Sequence, residues 1–374
     1  MVVHARFAVT RWLLILGLIM SGAVANEVNE TVLEGTTVTL TAEFDPAVGP
    51  FYYQWSKDGV TLPDEREPML RFAPVRLSDA GSYIVYVTNA GGTASSEPAI
   101  LRVAALNPSR LSHFSLIATS NPLTVGFGLM DGNKAATTPL LIRAAGPALA
   151  QFGVETFMPD PKLRVFRTDA AIAENDNWVE SSTLTTARRE AGAFAFSAGS
   201  LDAALLLTLG PNSYTTQIDE AAGGRGSALF EWYDLSSGAT RDNPRLVSLS
   251  ARVMVGPADQ TVIAGFTIRG ESSLRILARA IGPGLAQFGV SSPLANPTLS
   301  LHRDGTVIAT NENWREGNVV LLAAAARQVG AFALAPEAND GALIALLAPG
   351  AYTLQLGAGS SAGGTALIEL YEVP

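Results

Sequence analysis

The sequence predicts a mainly all-β chain, and three observations carry that expectation. Short runs of strict apolar/polar alternation recur along the chain, bounded by Gly, Pro, Asn and Asp turn residues. Only 16% of the residues are charged against 48% hydrophobic, with 35 Gly and 21 Pro. That charged fraction is below the ~25% of an average domain and suits sandwiches, where alternate residues face inward. The second half of the chain also repeats itself once, at a spacing of one whole domain.

Residues 1–25 read as a signal peptide. Arg6 and Arg11 form a basic lead, Trp12 to Met20 an apolar run, and Ala23-Val24-Ala25 the small residues of a cleavage site. The apolar run is shorter than the ~20 residues that a membrane span needs, which argues against a retained anchor. Cleavage removes two basic residues and no acid, so the net charge moves from −9 to about −11. An acidic chain repels phosphate backbones, and nucleic acid is not an expected partner. The absence of cysteine excludes disulfides, thiolate metal sites and an N-terminal lipid anchor on Cys.

Residues 26–104 come next. Val38-Thr39-Leu40-Thr41-Ala42 alternates, and Tyr53-Gln54-Trp55 is closed by the hairpin signal Lys57-Asp58-Gly59. Asp79-Ala80-Gly81-Ser82-Tyr83 leads into another alternating run, and Asn89-Ala90-Gly91-Gly92 marks a second hairpin. This order resembles an immunoglobulin-like domain of the I-set type, with Trp55 as its central tryptophan and Asp79, Gly81 and Tyr83 as its corner motif. The resemblance implies a buried Trp55 and a Tyr83 hydroxyl bonded to backbone. The inter-sheet disulfide of the family would fall on Ala42 and Val85, where it is worth ~2–5 kcal/mol. Apolar packing must replace it here.

Residues 105–240 and 241–374 are two copies of one unit, expected to be β-sandwich or jelly-roll-like domains with short helices. Arg143-Ala144-Ala145-Gly146-Pro147 returns as Arg279-Ala280-Ile281-Gly282-Pro283, and Asn175-Asp176-Asn177-Trp178 as Asn311-Glu312-Asn313-Trp314, both at an offset of 136. Gly192-Ala193-Phe194, Asp202, Tyr214, Glu231 and Tyr233 return at 138. Helices are expected after each Gly-Pro and across 182–190 and 319–328. Ala203 to Leu209 and Ala342 to Leu347 read as fully buried strands, and Gly223 to Gly226 and Gly363-Gly364 as hairpin loops. The phrases Arg-Ala-x-Gly-Pro, Asn-Asp-Asn-Trp and Ala-Leu-x-Glu-x-Tyr resemble a repeat that follows immunoglobulin-like domains in large exported bacterial surface proteins. No activity comes with that resemblance.

Candidate chemistry is sparse. The mature chain has His113 and His302, at unmatched positions, and no Gly-x-Ser-x-Gly elbow. No catalytic residue is assigned and no enzyme activity is expected. Asp160, Asp176, Asn177 and Asp202 form the most suggestive polar set: hard oxygens that suit Ca²⁺, or Asx-turns that cap their own backbone. Ca²⁺ is the sole cofactor this set raises. Trp178 and Trp314, beside these turns, could stack on a sugar or anchor a loop by packing. Arg143 and Arg279 are expected to pair with Glu231 and Glu369. A hydrolase built on Asp176 and Asp202 is disfavoured because Glu312 and Asn296 alter the chemistry in the second copy.

These readings point to a secreted, non-enzymatic protein of structural or adhesive type that presents sandwich modules to a protein or polysaccharide at the cell surface. A carbohydrate-binding accessory module, with or without Ca²⁺, is the alternative. Nothing in the sequence fixes the oligomeric state.

Overall fold

The computed structural model describes residues 2–8, 31–43, 50–104, 108–130, 135–221, 223–236, 243–257, 260–359 and 361–374. The apolar run and the Ala23-Val24-Ala25 ending of the expected signal peptide lie outside the described residues. The chain divides into two compact units, Met1–Leu106 and Asn107–Pro374.

The first unit is a two-sheet sandwich. One sheet holds β1 (Val2–Ala8), β3 (Thr37–Glu43) and β6 (Met69–Phe72). The other runs β2 (Thr31–Leu33), β9 (Ala99–Ala104), β7 (Gly81–Asn89), β4 (Tyr52–Lys57) and β5 (Val60–Thr61), with β8 (Gly92–Ser95) on β7. Both sequence-read hairpins form: Lys57 faces Val60 across Asp58-Gly59, and Asn89 faces Gly92. Trp55 lies opposite Val85 in the β4–β7 pair, and Ala42 joins them in one core. Apolar side chains thus occupy the two positions where the family carries its disulfide. The Tyr83 hydroxyl donates to Asp79 O at 2.6 Å, and the Asp79 carboxylate accepts from Arg76 N at 2.8 Å. The immunoglobulin-like corner is complete.

Among the described residues, the second unit contains sixteen strands in one hydrogen-bonded network. The first copy supplies β10 (Arg110–Ala118), β11 (Leu123–Met130), β12 (Thr138–Ala145), β13 (Pro161–Arg167), β14 (Ala170–Asn175), β15 (Ala203–Leu209), β16 (Asn212–Glu220) and β17 (Ala228–Asp234). The second copy supplies β18 (Arg245–Val255), β19 (Val262–Arg269), β20 (Leu274–Ile281), β21 (Thr298–Arg303), β22 (Thr306–Asn311), β23 (Gly341–Leu347), β24 (Gly350–Gly357) and β25 (Gly364–Glu372). Their pairings resolve into two long runs. One is β15-β12-β17-β10-β19-β24-β21-β22. The other is β14-β13-β16-β11-β18-β25-β20-β23, and a single bridge, Leu111 to Leu246, joins the two.

The boundary expected near residue 240 is therefore crossed by both runs. β10 of the first copy pairs with β19 of the second, and β11 pairs with β18. The registers are equivalent: Phe114 faces Phe266 where Leu249 faces Phe127, and Leu111 faces Ile268 where Leu246 faces Leu129. The contact is isologous, as in a two-fold dimer, but both halves belong to one chain. A single apolar core runs through both copies. Covalent duplication lets each copy use the other's first two strands to cover what would otherwise be open sheet edges.

Two sequence readings are corrected. β15 and β23 are not fully buried, because they are the outermost strands of their runs; Leu206 is 38% and Leu346 67% exposed. The glycine loops after β16 and β24 are not hairpins, since β16 and β17, or β24 and β25, belong to different runs. The expected helices do form, as α1 (Ser182–Ala191) and α2 (Val319–Gln328), capped by the side chains of Ser181 and Asn318. Each Gly-Pro opens a 3₁₀ turn, Pro147–Phe152 or Pro283–Phe288, stopped by Gly153 or Gly289 in the left-handed region. Tyr214 and Tyr352 donate to carbonyls four residues upstream, Gly210 O and Ala348 O, so the corner device of the first unit recurs in both copies.

Candidate functional site

The duplicated polar residues converge at equivalent places in the two copies, between the inner strands and the helix. Arg143 on β12 pairs with Glu231 on β17 at 3.3 Å, and Arg279 on β20 pairs with Glu369 on β25 at 2.8 Å. All four side chains are buried. The second oxygen of each glutamate accepts from a tyrosine, Tyr233 at 2.6 Å or Tyr371 at 2.7 Å. Burial pushes both glutamate carboxyls upward against the pull of the guanidinium. The Arg143 guanidinium lies over Phe194 and Phe196, at 4.4 and 3.9 Å from the ring centroids, and Arg279 lies 4.4 Å over Phe332. A further duplicated pair, Arg110–Asp234 at 3.2 Å and Arg245–Glu372 at 2.7 Å, was not read from the sequence. Its signal was present: Arg110 and Arg245 recur at an offset of 135, Asp234 and Glu372 at 138.

Asp202 and Asp340 hold the Gly-Pro turns. Asp202 Oδ1 accepts from Gly146 N at 2.7 Å and Ala148 N at 3.1 Å, while Asp340 Oδ1 accepts from Gly282 N at 2.8 Å and Gly284 N at 3.2 Å. Asn175 and Asn311 tie the neighbouring turn. Each side chain accepts from a strand amide, Ala204 N or Ala342 N, and donates to Asn177 O or Asn313 O. These are the bonds an Asx-turn makes.

The four residues considered for Ca²⁺ do not converge. Asp202 is wholly buried and spent on backbone amides and Ser200, and Asn177 is exposed. Asp160 and Asp176 are near neighbours: burial first, then Asp176 and Glu220, raises the Asp160 carboxyl above its usual range. Among the described residues no group of three or more Asp, Glu, His or Cys is placed to hold a metal ion.

Trp178 and Trp314 sit under the helices. Trp314 is 8% exposed, in a cluster with Leu277, Leu322 and Ala325; Trp178 is half-buried and meets Phe196 edge-on at 5.8 Å. At the tryptophan nitrogen the two copies differ by one hydroxyl. In the first, Ser200 Oγ accepts from Trp178 Nε1 at 3.1 Å and donates to Asp202 Oδ2 at 2.7 Å. In the second, Ala338 replaces that serine, and Trp314 Nε1 and Asp340 Oδ2 are buried without a partner. Ala338→Ser should restore both bonds and stabilise the unit by about 1–2 kcal/mol. Ser200→Ala should cost a similar amount. Denaturant midpoints of the two variants check both.

His113 on β10 is part-buried, with its Nε2 enclosed. It lies opposite Tyr233 with ring centroids 4.5 Å apart, and burial pushes its pKa down from 6.5 to about 4. The unfolded chain therefore binds more protons than the folded one between those values, and stability falls as pH drops below 6.5. At pH 5 the loss from this group is about 2 kcal/mol. The raised carboxyls act with the opposite sign, so a comparison isolates the histidine. His113→Phe keeps the stack and should flatten the stability profile between pH 6.5 and pH 5 by that amount.

His302 bonds Ser300 Oγ at 2.8 Å on β21. It stands apart from the duplicated acids. The duplicated acids and arginines are paired within their clusters, while Arg143 Nη1 and Nη2, Arg279 Nη2, Trp314 Nε1 and Asp340 Oδ2 are buried without a hydrogen-bond partner.

Comparison with known proteins bears on the first unit. The family model described as "Immunoglobulin domain" matches residues 28–98. No curated protein matches the chain. Among solved structures, it is similar to "Sidekick-1 immunoglobulin domains 1-4" at 13% identity and TM-score 0.19, covering 91% of this chain and 71% of that one. It is also similar to the N-terminal eight immunoglobulin domains of Down Syndrome Cell Adhesion Molecule, at 12% identity and TM-score 0.19, over 90% and 38% of the two chains. Three N-terminal domains of the bacteriophage RB49 Highly Immunogenic Outer Capsid protein match at 13% identity and TM-score 0.18, over 85% and 84%. Residues 28–98 are an immunoglobulin-like domain.

Proposed function

We propose that this is an exported, non-catalytic protein of adhesion type, whose immunoglobulin-like domain engages a protein or polysaccharide through the outer face of its β4–β7 sheet. The observation that carries the reading is an uncovered pair of tyrosines on that face. Tyr52 is 72% and Tyr86 40% exposed, Gln54 faces Tyr86 in register, and Tyr52 faces Thr88. Tyrosine offers a large apolar body with a polar tip and is enriched at interface centres. The tryptophans of the repeats are turned inward, so contact with a glycan falls to this face as well. Export rests on the sequence pattern of residues 1–25. No helix among the described residues is long and apolar enough to cross a membrane.

The test compares the purified chain with a Tyr52→Ser/Tyr86→Ser variant on immobilised surface-protein fractions and on a glycan array. Binding should fall by about tenfold or more in the variant, with an unchanged melting temperature. Equal binding by both removes the proposed face. N-terminal sequencing of the exported product should begin at Asn26, a cleavage that removes β1 and leaves β3 paired with β6 alone.

A further inference from the structure

Beneath α2 lies a cavity of about 150 Å³, walled by Leu277, Leu322, Ala326, Leu334 and Trp314, with Arg279 in its wall. The corresponding cavity beneath α1 is about 70 Å³. Three replacements at equivalent positions account for the difference: Leu334 stands where the first copy has Phe196, Ala326 where it has Arg188, and Ala323 where it has Thr185. An apolar cavity of about this volume is large enough to admit benzene.

Polar groups break the apolar lining at three places: Arg327, exposed at the rim, the Trp314 indole N–H, and the buried Arg279. Arg279 is 1% exposed, its Nη1 donates to Phe332 O at 2.7 Å, and its Nε faces Glu369. Its Nη2 is buried with no partner. Leaving a charged donor unpaired in a dry wall is costly, and an acceptor at that place would relieve the cost. The acceptor should not itself carry charge. Glu369 already neutralises Arg279, and the buried Asp340 carboxylate lies within electrostatic reach of the same guanidinium.

We propose that this cavity binds a small neutral molecule with an apolar body and a single acceptor oxygen, the body between α2 and β20 and the oxygen on Arg279 Nη2. The site is independent of the tyrosine face of the first unit. The first copy, with its smaller cavity, is a built-in control.

Three probes of similar size separate the terms: cyclohexanone, benzene and cyclohexanecarboxylate. With the full chain, cyclohexanone should shift the methyl resonances of Leu322 and Leu334 and raise the melting temperature of the second unit. It should bind about tenfold more tightly than benzene, which cannot accept from the guanidinium. The carboxylate should not bind. Leu334→Phe imports the first copy's residue and should abolish the shifts; Ala323→Thr, a milder filling, should weaken them. The proposal is overturned if cyclohexanone leaves the resonances unmoved, if the anion binds best, if benzene binds equally well, or if folded Leu334→Phe binds as wild type does.

Discussion

Arg279→Ala is expected to destabilise the 107–374 unit by about 3–5 kcal/mol, the cost of leaving a buried carboxylate without its counter-ion. Glu369 would keep Tyr371 as its single side-chain donor, in a place where burial already disfavours its charged form. The variant should therefore recover part of its loss at acidic pH, where the carboxyl takes up a proton. Truncation also removes the ring contact with Phe332 and the bond to its carbonyl. Replacing both partners tells a different story. Arg279→Met with Glu369→Leu removes both charges at similar volume and should cost far less than the single change, since the ion pair spends most of its attraction on desolvation. Arg143→Ala should behave in the same way through Glu231. Urea titration, followed on the transition of the second unit, measures all three variants. A single-variant loss below about 1 kcal/mol would mean that water reaches these pairs.

Much of this architecture was readable because duplication wrote it twice. The return of Arg143 and Glu231 as Arg279 and Glu369 pointed to an internal pair, and both pairs form. The corner of the first unit was readable because Asp79, Gly81 and Tyr83 act locally, within a few residues of one another. The seam between the copies was not readable. Leu111, Phe114 and Leu116 show the alternation of any half-buried strand, and alternation names the buried face without naming the neighbour. Nothing in β10 says that its partner is β19, more than a hundred residues away, rather than a strand of its own copy. The cavity was hidden for a related reason. Ala326 and Leu334 are ordinary apolar residues, and only their positions relative to Arg188 and Phe196 in the folded first copy expose the missing volume. The Asp and Asn residues gave an ambiguous signal because the oxygens that suit a cation also suit backbone amides. At Asp202 the amides of the Gly-Pro turn took them.

Gly282→Ala should cost about 3 kcal/mol, while Gly265→Ala should cost under about 1 kcal/mol, although both glycines are packed against neighbours. The contrast lies in what a Cβ would meet. At Gly282 it would come within 2.0 Å of the Leu294 carbonyl oxygen, and at the equivalent Gly146 within 2.1 Å of Met158 O. Those carbonyls belong to backbone held against strand β25 or the Ser227 bridge, where Leu294 N donates to Thr365 O and Met158 N to Ser227 O. Neither can retreat without breaking that bond. Neither glycine is in the left-handed region, since φ is −121° at Gly282 and −122° at Gly146, so the contact with the carbonyl carries the contrast. Displacing the turn would also pull Gly282 N and Gly284 N away from Asp340, whose oxygens would then be buried with fewer donors. At Gly265 the Cβ would meet only Ser115 Oγ, at 2.8 Å, across the β10–β19 seam. A serine hydroxyl can turn to another rotamer, so the clash relaxes at small cost. Melting curves of the two single variants decide the matter: equal losses would mean that the seam is as rigid as the Gly-Pro turn, and that its serines are fixed in place by the pairing of the two copies.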